Sequence, residues 1–367
     1  MKSILIILGT RPEAIKLAPL IHELRRHDDC TTHVCVTGQH REMLDQVLHT
    51  FDITPDSDLQ LMQSHQTLAG LSARALIALD EILHRIKPDW IVVQGDTTTA
   101  MIGALTAFYH RVRIMHVEAG LRTYNKFHPY PEDVNRRIID IVADMYAVPT
   151  SEAAQNLARE GVQESQIVIT GNTGIDALLM IAERKPLPHI FRKHSFLLQK
   201  KIILVTSHRR ENVGEPMEQI FLALRDIADR HHTTHHIIFP VHLNPAVRAI
   251  ADRVIGQSPG IMLCHPLGYE DMVGTLQHCD FVITDSGGIQ EEAPSLGKPV
   301  IITRETTERP EVIHAGAGFL AGSKRETIVA LAERLISDVA FFSQAAQVRH
   351  LYGTGTASKN IASLLLR

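Results

Sequence analysis

Short, continuously apolar runs recur along this chain between longer amphipathic stretches, and that rhythm limits the available folds more than any other feature. The first runs are ILIIL (4–8), HVCVT (33–37), WIVVQG (90–95), IMHVEA (114–119) and MYAVP (145–149), each followed by polar or helix-like sequence. A strand that is apolar at every position has no solvent face, so its sheet must be covered on both sides. Strands alternating with helices then imply parallel pairing. The pattern restarts with KIILVTSH (201–208), HIIFPVH (236–242), IMLCHP (261–266), FVITDS (281–286) and PVIIT (299–303). The expected class is α/β, with two doubly wound Rossmann-like domains facing a cleft.

The length supports two cores, because 367 residues exceed the roughly 100–200 of an ordinary domain. Between the two series, prolines and charges in ERKPLPHIFRKHSFLLQKK (183–201) break the periodicity, and TGNTG (170–174) is turn-like. This places the boundary near Gly171, with domains at 1–171 and 172–354. The 37 basic and 41 acidic residues nearly cancel, to a formal net charge of −4, and no like-charge block marks a nucleic-acid or membrane partner. A small-molecule ligand is the remaining expectation. The opening MKSILIILGTRPEA has an apolar run shorter than the roughly 7–15 residues of a signal-peptide core, and reads as a buried strand. No stretch approaches the roughly 18 apolar residues of a membrane span, so a soluble, cytoplasmic protein is expected. Cys30, Cys35, Cys264 and Cys279 form no C-x-x-C pair, as expected of reduced thiols. HHTTHH (231–236) lacks a zinc-site pattern, and no metal is expected.

In open α/β sheets ligands bind beyond the carboxyl ends of the strands, which makes strand-end polar residues the site candidates. In GTRPEAIKLAP (9–19), Arg11 and Lys16 bracket a helix start. Cations there oppose the helix dipole and suit a bound anion, although solvated surface charge is the plainer reading. Asp96 in QGDTTTAM serves equally as a helix N-cap or as a carboxylate facing the ligand. Glu118 in HVEAGLRTYNKFHPYPEDVNRR lies at an apolar strand's end, where an unpaired carboxylate is costly. Glu132 and Asp133 follow Pro131 as an acidic first turn, with Arg136 four residues on as a helical ion-pair partner. The loop from Tyr124 to Pro131 suits a ligand cover. TSHRREN (206–212) groups His208, Arg209, Arg210 and Glu211 after a strand, a pyrophosphate-like set. In TDSGGIQEEAPSLGKPV, Ser286, Gly287 and Gly288 offer N–H donors to a phosphate, yet Glu291 and Glu292 follow within one turn.

Taken together and in order, GTRPEAIKLAPL, QHREMLDQVL, GDTTT, HVEAGLRT, PEDVNRR, GNTGIDAL, HRREN, PVHLNP and TDSGGIQEEAPSLGKPV resemble the non-hydrolysing bacterial UDP-N-acetylglucosamine 2-epimerases across nearly the whole chain. The resemblance implies a glycosyltransferase-B-like fold, a homodimer, and a last helix (about 355–367) returning to the first domain. It implies reversible conversion of UDP-GlcNAc to UDP-ManNAc, without cofactor, for surface polysaccharide. By motif position it assigns Asp96, Glu118 and Glu132 as catalytic carboxylates. His208 and Arg11 stabilise departing UDP, and Lys16 and Arg136 assist.

The same resemblance gives Arg209, Ser286, Gly287 and Gly288 to the diphosphate and Glu292 to the ribose; Glu291, on a different helix face by the period of about 3.6 residues, is left to structure or the neighbouring cleft. Met272 stands near the uracil pocket, where the family often has an aromatic residue. An activating second UDP-GlcNAc would use Gln39, Arg209 and His242, while Glu42 and His65 replace the Gln and Arg of strongly regulated members. The ribose carboxylate answers the puzzle of Glu291 and Glu292, since a UDP-sugar carries hydroxyls several ångströms from its anion. A UDP-sugar-dependent glycosyltransferase is the main alternative, since that fold also binds UDP-sugars. A hydrolysing epimerase and a non-catalytic nucleotide-sugar sensor are further ones.

Overall fold

The computed structural model of the chain describes residues 1–38, 41–63, 66–127, 129–209 and 212–367, apart from the side chains of residues 41–43. They form two compact units, one comprising Met1–Met180 with Tyr352–Arg367 and the other Ile181–Leu351.

The first unit opens with β1 (Lys2–Leu8), α1 (Arg11–Leu24), β2 (Cys30–Val36), α2 (Arg41–Thr50), β3 (Ser57–Asp58) and α3 (Leu68–Ile86). It continues through β4 (Trp90–Gln94), α4 (Thr98–Tyr109), β5 (Arg113–Val117), α5 (Glu132–Val142) and β6 (Met145–Val148). Next come α6 (Ser151–Arg159), β7 (Ile167–Ile169) and α7 (Thr173–Glu183). The strands pair in parallel in the order β3-β2-β1-β4-β5-β6-β7. Ile4 through Leu8 are all buried, whichever face they point to, as continuous apolarity requires.

The second unit contains α8 (His189–Lys193), β8 (Lys201–Thr206), α9 (Glu215–His231), β9 (His235–Pro240), α10 (Pro245–Ile255) and β10 (Ile261–Cys264). Then follow α11 (Tyr269–His278), β11 (Phe281–Thr284), α12 (Gly287–Ser295), β12 (Val300–Ile302) and α13 (Pro310–His314). It ends with β13 (Gly318–Leu320), α14 (Arg325–Ser337) and α15 (Val339–Gln347). Its parallel order is β10-β9-β8-β11-β12-β13. Strand period two sorts its core into two layers. Ile203, Val205, Phe239, Phe281 and Ile283 pack with α9, α10 and α14, whereas Ile202, Leu204, Ile238, Val282 and Ile302 face α8, α11, α12 and α13.

The α/β class and both doubly wound sheets match expectation. The division between units does not fall at Gly171; it lies inside α7. Gly171 has φ +91, and the next residue, Asn172, donates its N–H to Tyr352 O at 3.1 Å, which keeps this turn in the first unit. Residues 183–201 belong to the second unit's core, into which Ile190, Phe191 and Leu197 are buried. The strands missed by apolar-run reading, β3, β7 and β13, are short; β3 is polar and Ile169 of β7 is exposed.

The C-terminal helix α16 (Ala357–Leu365) packs on α1, and Asp176 of α7 accepts the N–H groups of Ala357 at 3.2 Å and Ser358 at 2.6 Å. Ile361 and Leu365 on α16 are fully buried. Truncating a buried Ile leaves a cavity and costs about 2–4 kcal/mol. Ile361→Ala should lower the unfolding free energy of the first unit by that much, seen as a lower urea midpoint at unchanged m-value in the fluorescence of the chain's one tryptophan, Trp90, which lies in β4. An unchanged midpoint would show that α16 adds little to that unit.

Candidate active site

Both sheets reverse strand order next to their first strand, between β1 and β4 in the first unit and between β8 and β11 in the second. Loops diverge at such a point and leave room for a ligand beyond the strand ends.

In the first unit the two diverging loops are tied by Glu13. Its carboxylate accepts from the N–H of Gly9 at 3.1 Å, the N–H and hydroxyl of Thr10 at 2.7 Å each, and the Thr97 hydroxyl at 2.6 Å. Burial pushes this carboxyl above its ordinary range, and the hydrogen bonds from Thr97 and Thr10 pull partly against that. Thr97, rather than Asp96, caps α4 by accepting from Ala100 N at 3.0 Å. That overturns the capping reading of Asp96. Arg11 is the first residue of α1, and no ion pair engages it among the described residues.

Glu118 directly follows β5 with φ +63, a left-handed conformation that costs a non-glycine residue about 1–3 kcal/mol. Neighbours fix it there. Its N–H donates to Ala147 O at 2.9 Å, its carbonyl accepts from Arg136 Nη1, and its carboxylate accepts from Lys16 Nζ and, at 2.8 Å, from Gln94 Nε2. Arg136 also bonds Asp96 Oδ2 at 2.5 Å and lies 3.7 Å from Glu118 Oε1, so one buried guanidinium bridges two carboxylates. The helical pair expected between Glu132 and Arg136 is not made among the described residues, because Arg136 turns to Asp96 and Glu118. Glu132 begins α5, and its Oε2 is buried without a hydrogen-bond partner among the described residues. A carboxylate oxygen left so is expensive unless a ligand or proton meets it.

Beneath this group lies a polar layer that motif reading missed. His116 is fully buried; its Nε2 donates to Gly95 O at 2.8 Å and its Nδ1 faces Asp140 Oδ1 at 2.5 Å. Arg122 donates to the other Asp140 oxygen at 2.7 Å and forks onto Glu160 at 2.9 and 2.7 Å. Asn135 donates to Asp96 O at 2.9 Å, and Asp133 anchors Thr123 through its N–H and hydroxyl. A signal existed. The buried face of α5 is Asp133, Asn135, Arg136, Ile139 and Asp140, almost wholly polar where a packing helix would be apolar.

Burial pushes the Asp140 carboxyl up, but His116 and Arg122 outweigh it and hold the group below its ordinary range. A lowered folded-state pKa contributes stability above the unfolded value of about 3.9, which is lost as pH falls through the folded one. Asp140→Asn should therefore lower the urea midpoint read at Trp90 more at pH 7 than below about pH 4. An equal loss at both would contradict this.

In the second unit Asp285 takes the tying role just after β11. Fully buried, it accepts from His208 N–H and Arg209 N–H at 3.0 Å each, and from Ser207 Oγ and Asn212 Nδ2 at 3.2 Å. Arg209 is carried to the start of α12, where a Cβ on Gly287 would lie 3.8 Å from Arg209 Nη2. Its Nε is buried without a hydrogen-bond partner among the described residues. Gly287 and Gly288 open α12, where the first N–H groups have no acceptor inside the helix; the Ser286 N–H expected beside them is instead given to Thr284 Oγ1 at 2.9 Å, which leaves Ser286 only its hydroxyl for a ligand. A cation and free amides at one helix start form an anion site.

Glu291 pairs with Arg309, while Glu292 is partly buried on the same helix. Met272 packs from α11 against the second unit's core. His242 is exposed and stacks on His208 with centroids 6.1 Å apart. Gln39, His65, Arg210, Glu211 and the side chain of Glu42 lie outside the described residues. Among the described residues no cluster suited to a metal occurs, and no helix is long and apolar enough to cross a membrane.

Known proteins resemble this chain in sequence and in fold over nearly its whole length. Residues 22–366 match the family model described as UDP-N-acetylglucosamine 2-epimerase. The UDP-N-acetylglucosamine 2-epimerase of Bacillus subtilis is 46% identical over 366 residues, covering 99% of this chain and 94% of the relative. That of Campylobacter jejuni is 45% identical over 376 residues, covering 100% and 98%. The crystal structure of UDP-GlcNAc 2-epimerase from Neisseria meningitidis bound to UDP-GlcNAc has a TM-score of 0.89 at 41% identity, covering 100% of both chains. Agreement of that extent, in sequence and in fold, makes this chain a member of the UDP-N-acetylglucosamine 2-epimerase family.

Proposed function

We propose that the chain interconverts UDP-GlcNAc and UDP-ManNAc by eliminating and re-adding UDP. The observation that carries this reading is the pair of carboxylates, Asp96 and Glu118, bridged by Arg136 beside the partnerless oxygen of Glu132's helix start. The C2 proton of the sugar has no adjacent carbonyl, so simple deprotonation would leave an unstabilised carbanion. Breaking the C1–O bond first sends its electron pair to UDP and leaves positive charge on C1 and the ring oxygen. A carboxylate then removes the acidified C2 proton, giving 2-acetamidoglucal. Reprotonation on the opposite face and return of UDP to C1 complete the exchange. No electrons leave the substrate, so the route requires no redox cofactor.

Asp96, Glu118 and Glu132 supply acid/base groups, while Lys16 and Arg136 hold the carboxylates in place. Arg11 and His208 stabilise the departing diphosphate, received by Arg209, the Ser286 hydroxyl and the Gly287 and Gly288 amides at the α12 start. Glu292 serves the ribose, and Glu291, engaged by Arg309, serves structure. The glycosyltransferase alternative is dropped, since the matching family and the relatives above are epimerases. The compartment proposed is the cytoplasm, and the product an activated ManNAc for surface polysaccharide.

In D2O, without metal or nicotinamide, NMR should show UDP-GlcNAc giving UDP-ManNAc deuterated at C2, with no acceptor. Asp96→Asn, Glu118→Gln and Glu132→Gln should each slow turnover about 10²–10⁴-fold, with UDP affinity retained. Full turnover in all three variants would remove the acid/base assignment.

We also propose a homodimer built on the first unit. Ile77, Phe108, Tyr109 and Ile141 are exposed large apolar residues on α3, α4 and α5, which pack side by side. Such a cluster marks an interaction surface. Light scattering should give twice the 40.9 kDa chain mass, and Phe108→Asp with Ile141→Asp should return the monomer. A monomeric native chain would refute the dimer.

A further inference from the structure

Asp285 has more partners than an anchor requires. Two backbone N–H groups, the Ser207 hydroxyl and the Asn212 amide already secure its loop. A further contact reaches a ring: His208 Nδ1 lies 3.2 Å from Asp285 Oδ1. The carboxylate is fully buried and the His208 side chain is 41% exposed, so Nδ1 points inward and Nε2, across the ring, outward. His242 lies over the same ring, with centroids 6.1 Å apart and planes inclined by 25°. An ionised carboxylate only accepts hydrogen bonds, and an imidazole nitrogen that meets it must carry the proton. Asp285 is held ionised, since burial pushes its carboxyl up but the His208 ring and the Arg209 and His208 amides together bring it below the ordinary range.

We propose that Asp285 is a positioning residue for the epimerisation, holding the His208 ring with its Nδ1 proton inward and Nε2 presented to the departing diphosphate. The inference rests on the role assigned to His208 above and adds a residue that acts only through it. Asp285 forms no bond to substrate; it fixes which nitrogen faces the ligand and at what angle. An asparagine in its place still accepts the loop amides through Oδ1. Its NH2 group, however, donates toward the ring and favours the opposite tautomer, the kind of error that disables a histidine whose surroundings are otherwise intact.

The test compares Asp285→Asn, His208→Gln and the double variant on UDP-GlcNAc. Asp285→Asn should lower kcat by about 10²-fold, comparable to losing one oriented donor to a developing anion, with KM and UDP affinity changed less than about threefold. The double variant should be no slower than His208→Gln alone, because groups acting as one unit are not additive. Ser207→Ala, which removes a loop donor and leaves the ring contact, should keep kcat near wild type. Multiplying losses in the double variant, or full turnover in Asp285→Asn while His208→Gln is slow, would overturn the inference about Asp285 alone. Wild-type turnover in His208→Gln would instead remove the role of His208 itself.

A reading independent of the variants' folding comes from ¹⁵N NMR of the wild-type histidine rings, with His208 assigned by its loss in His208→Gln. A protonated Nδ1 at neutral pH supports the proposal, and a bare Nδ1 overturns it.

Discussion

A buried carboxylate must be met by donors or be lost, and this structure uses that requirement to hold its strand-end loops. Glu13, Asp140 and Asp285 are each almost fully buried, Glu13 at the start of α1, Asp140 near the end of α5 and Asp285 just after β11. Glu13 draws the amides after β1 and the hydroxyl after β4 to one point. Asp140 collects His116 and Arg122, and through His116 it holds the carbonyl of Gly95, the residue before Asp96. Asp285 gathers the loop after β8. None of these three serves as a proposed proton carrier. Each converts the cost of its own burial into a defined position for neighbouring loop groups. Removing the carboxylate therefore threatens placement as well as stability, since orphaned donors would pull the loops toward other acceptors.

The strain at Glu118 follows the same logic. A left-handed glutamate would relax unless surrounding bonds over-determine it, and here the backbone amide, the carbonyl and the side chain are all engaged. The effect is to turn a carboxylate off the end of an apolar strand, where an extended continuation would have carried it onward with the sheet. Arg136 makes that turn productive by joining the same guanidinium to Asp96. Two carboxylates brought together would repel; a shared cation holds both at one place in the first unit.

Much of the fold was legible beforehand because parallel sheets write themselves into sequence as unbroken apolar runs, and the polar residues at their strand ends stand out against them. Asp96, Glu118, Arg136 and the Ser286–Gly288 turn all sit where that rule points. The capping role was misplaced by one residue, since a Thr beside an Asp offers the same hydroxyl or carboxylate oxygen, and only backbone geometry chooses Thr97. The boundary at Gly171 misled for a related reason. A turn-forming sequence does not reveal that its amide is claimed by Tyr352, distant in the chain and adjacent in the fold. His116 and Asp140 stayed silent because a single polar residue in an apolar run reads as an exception to packing, and Asp285, between Thr284 and Ser286-Gly287-Gly288, reads as part of a turn. The meaning of each depends on partners between about 20 and 80 residues away, which no local period encodes.

The two units meet opposite electrostatic demands with one topology. In the first, cations are recruited to carboxylates, which suits groups that must take and return a proton. In the second, a carboxylate is buried out of reach while Arg209 and the bare amides of α12 are left forward, which suits a leaving anion. The acidic residues after Gly288 fit this division, because Glu291 is engaged by Arg309 and its charge is spent within the fold. Had both glutamates faced the helix start, they would have opposed any anion drawn to its amides. The helix period separates them, so the anion site and the carboxylate assigned to the ribose belong to one short element without cancelling each other.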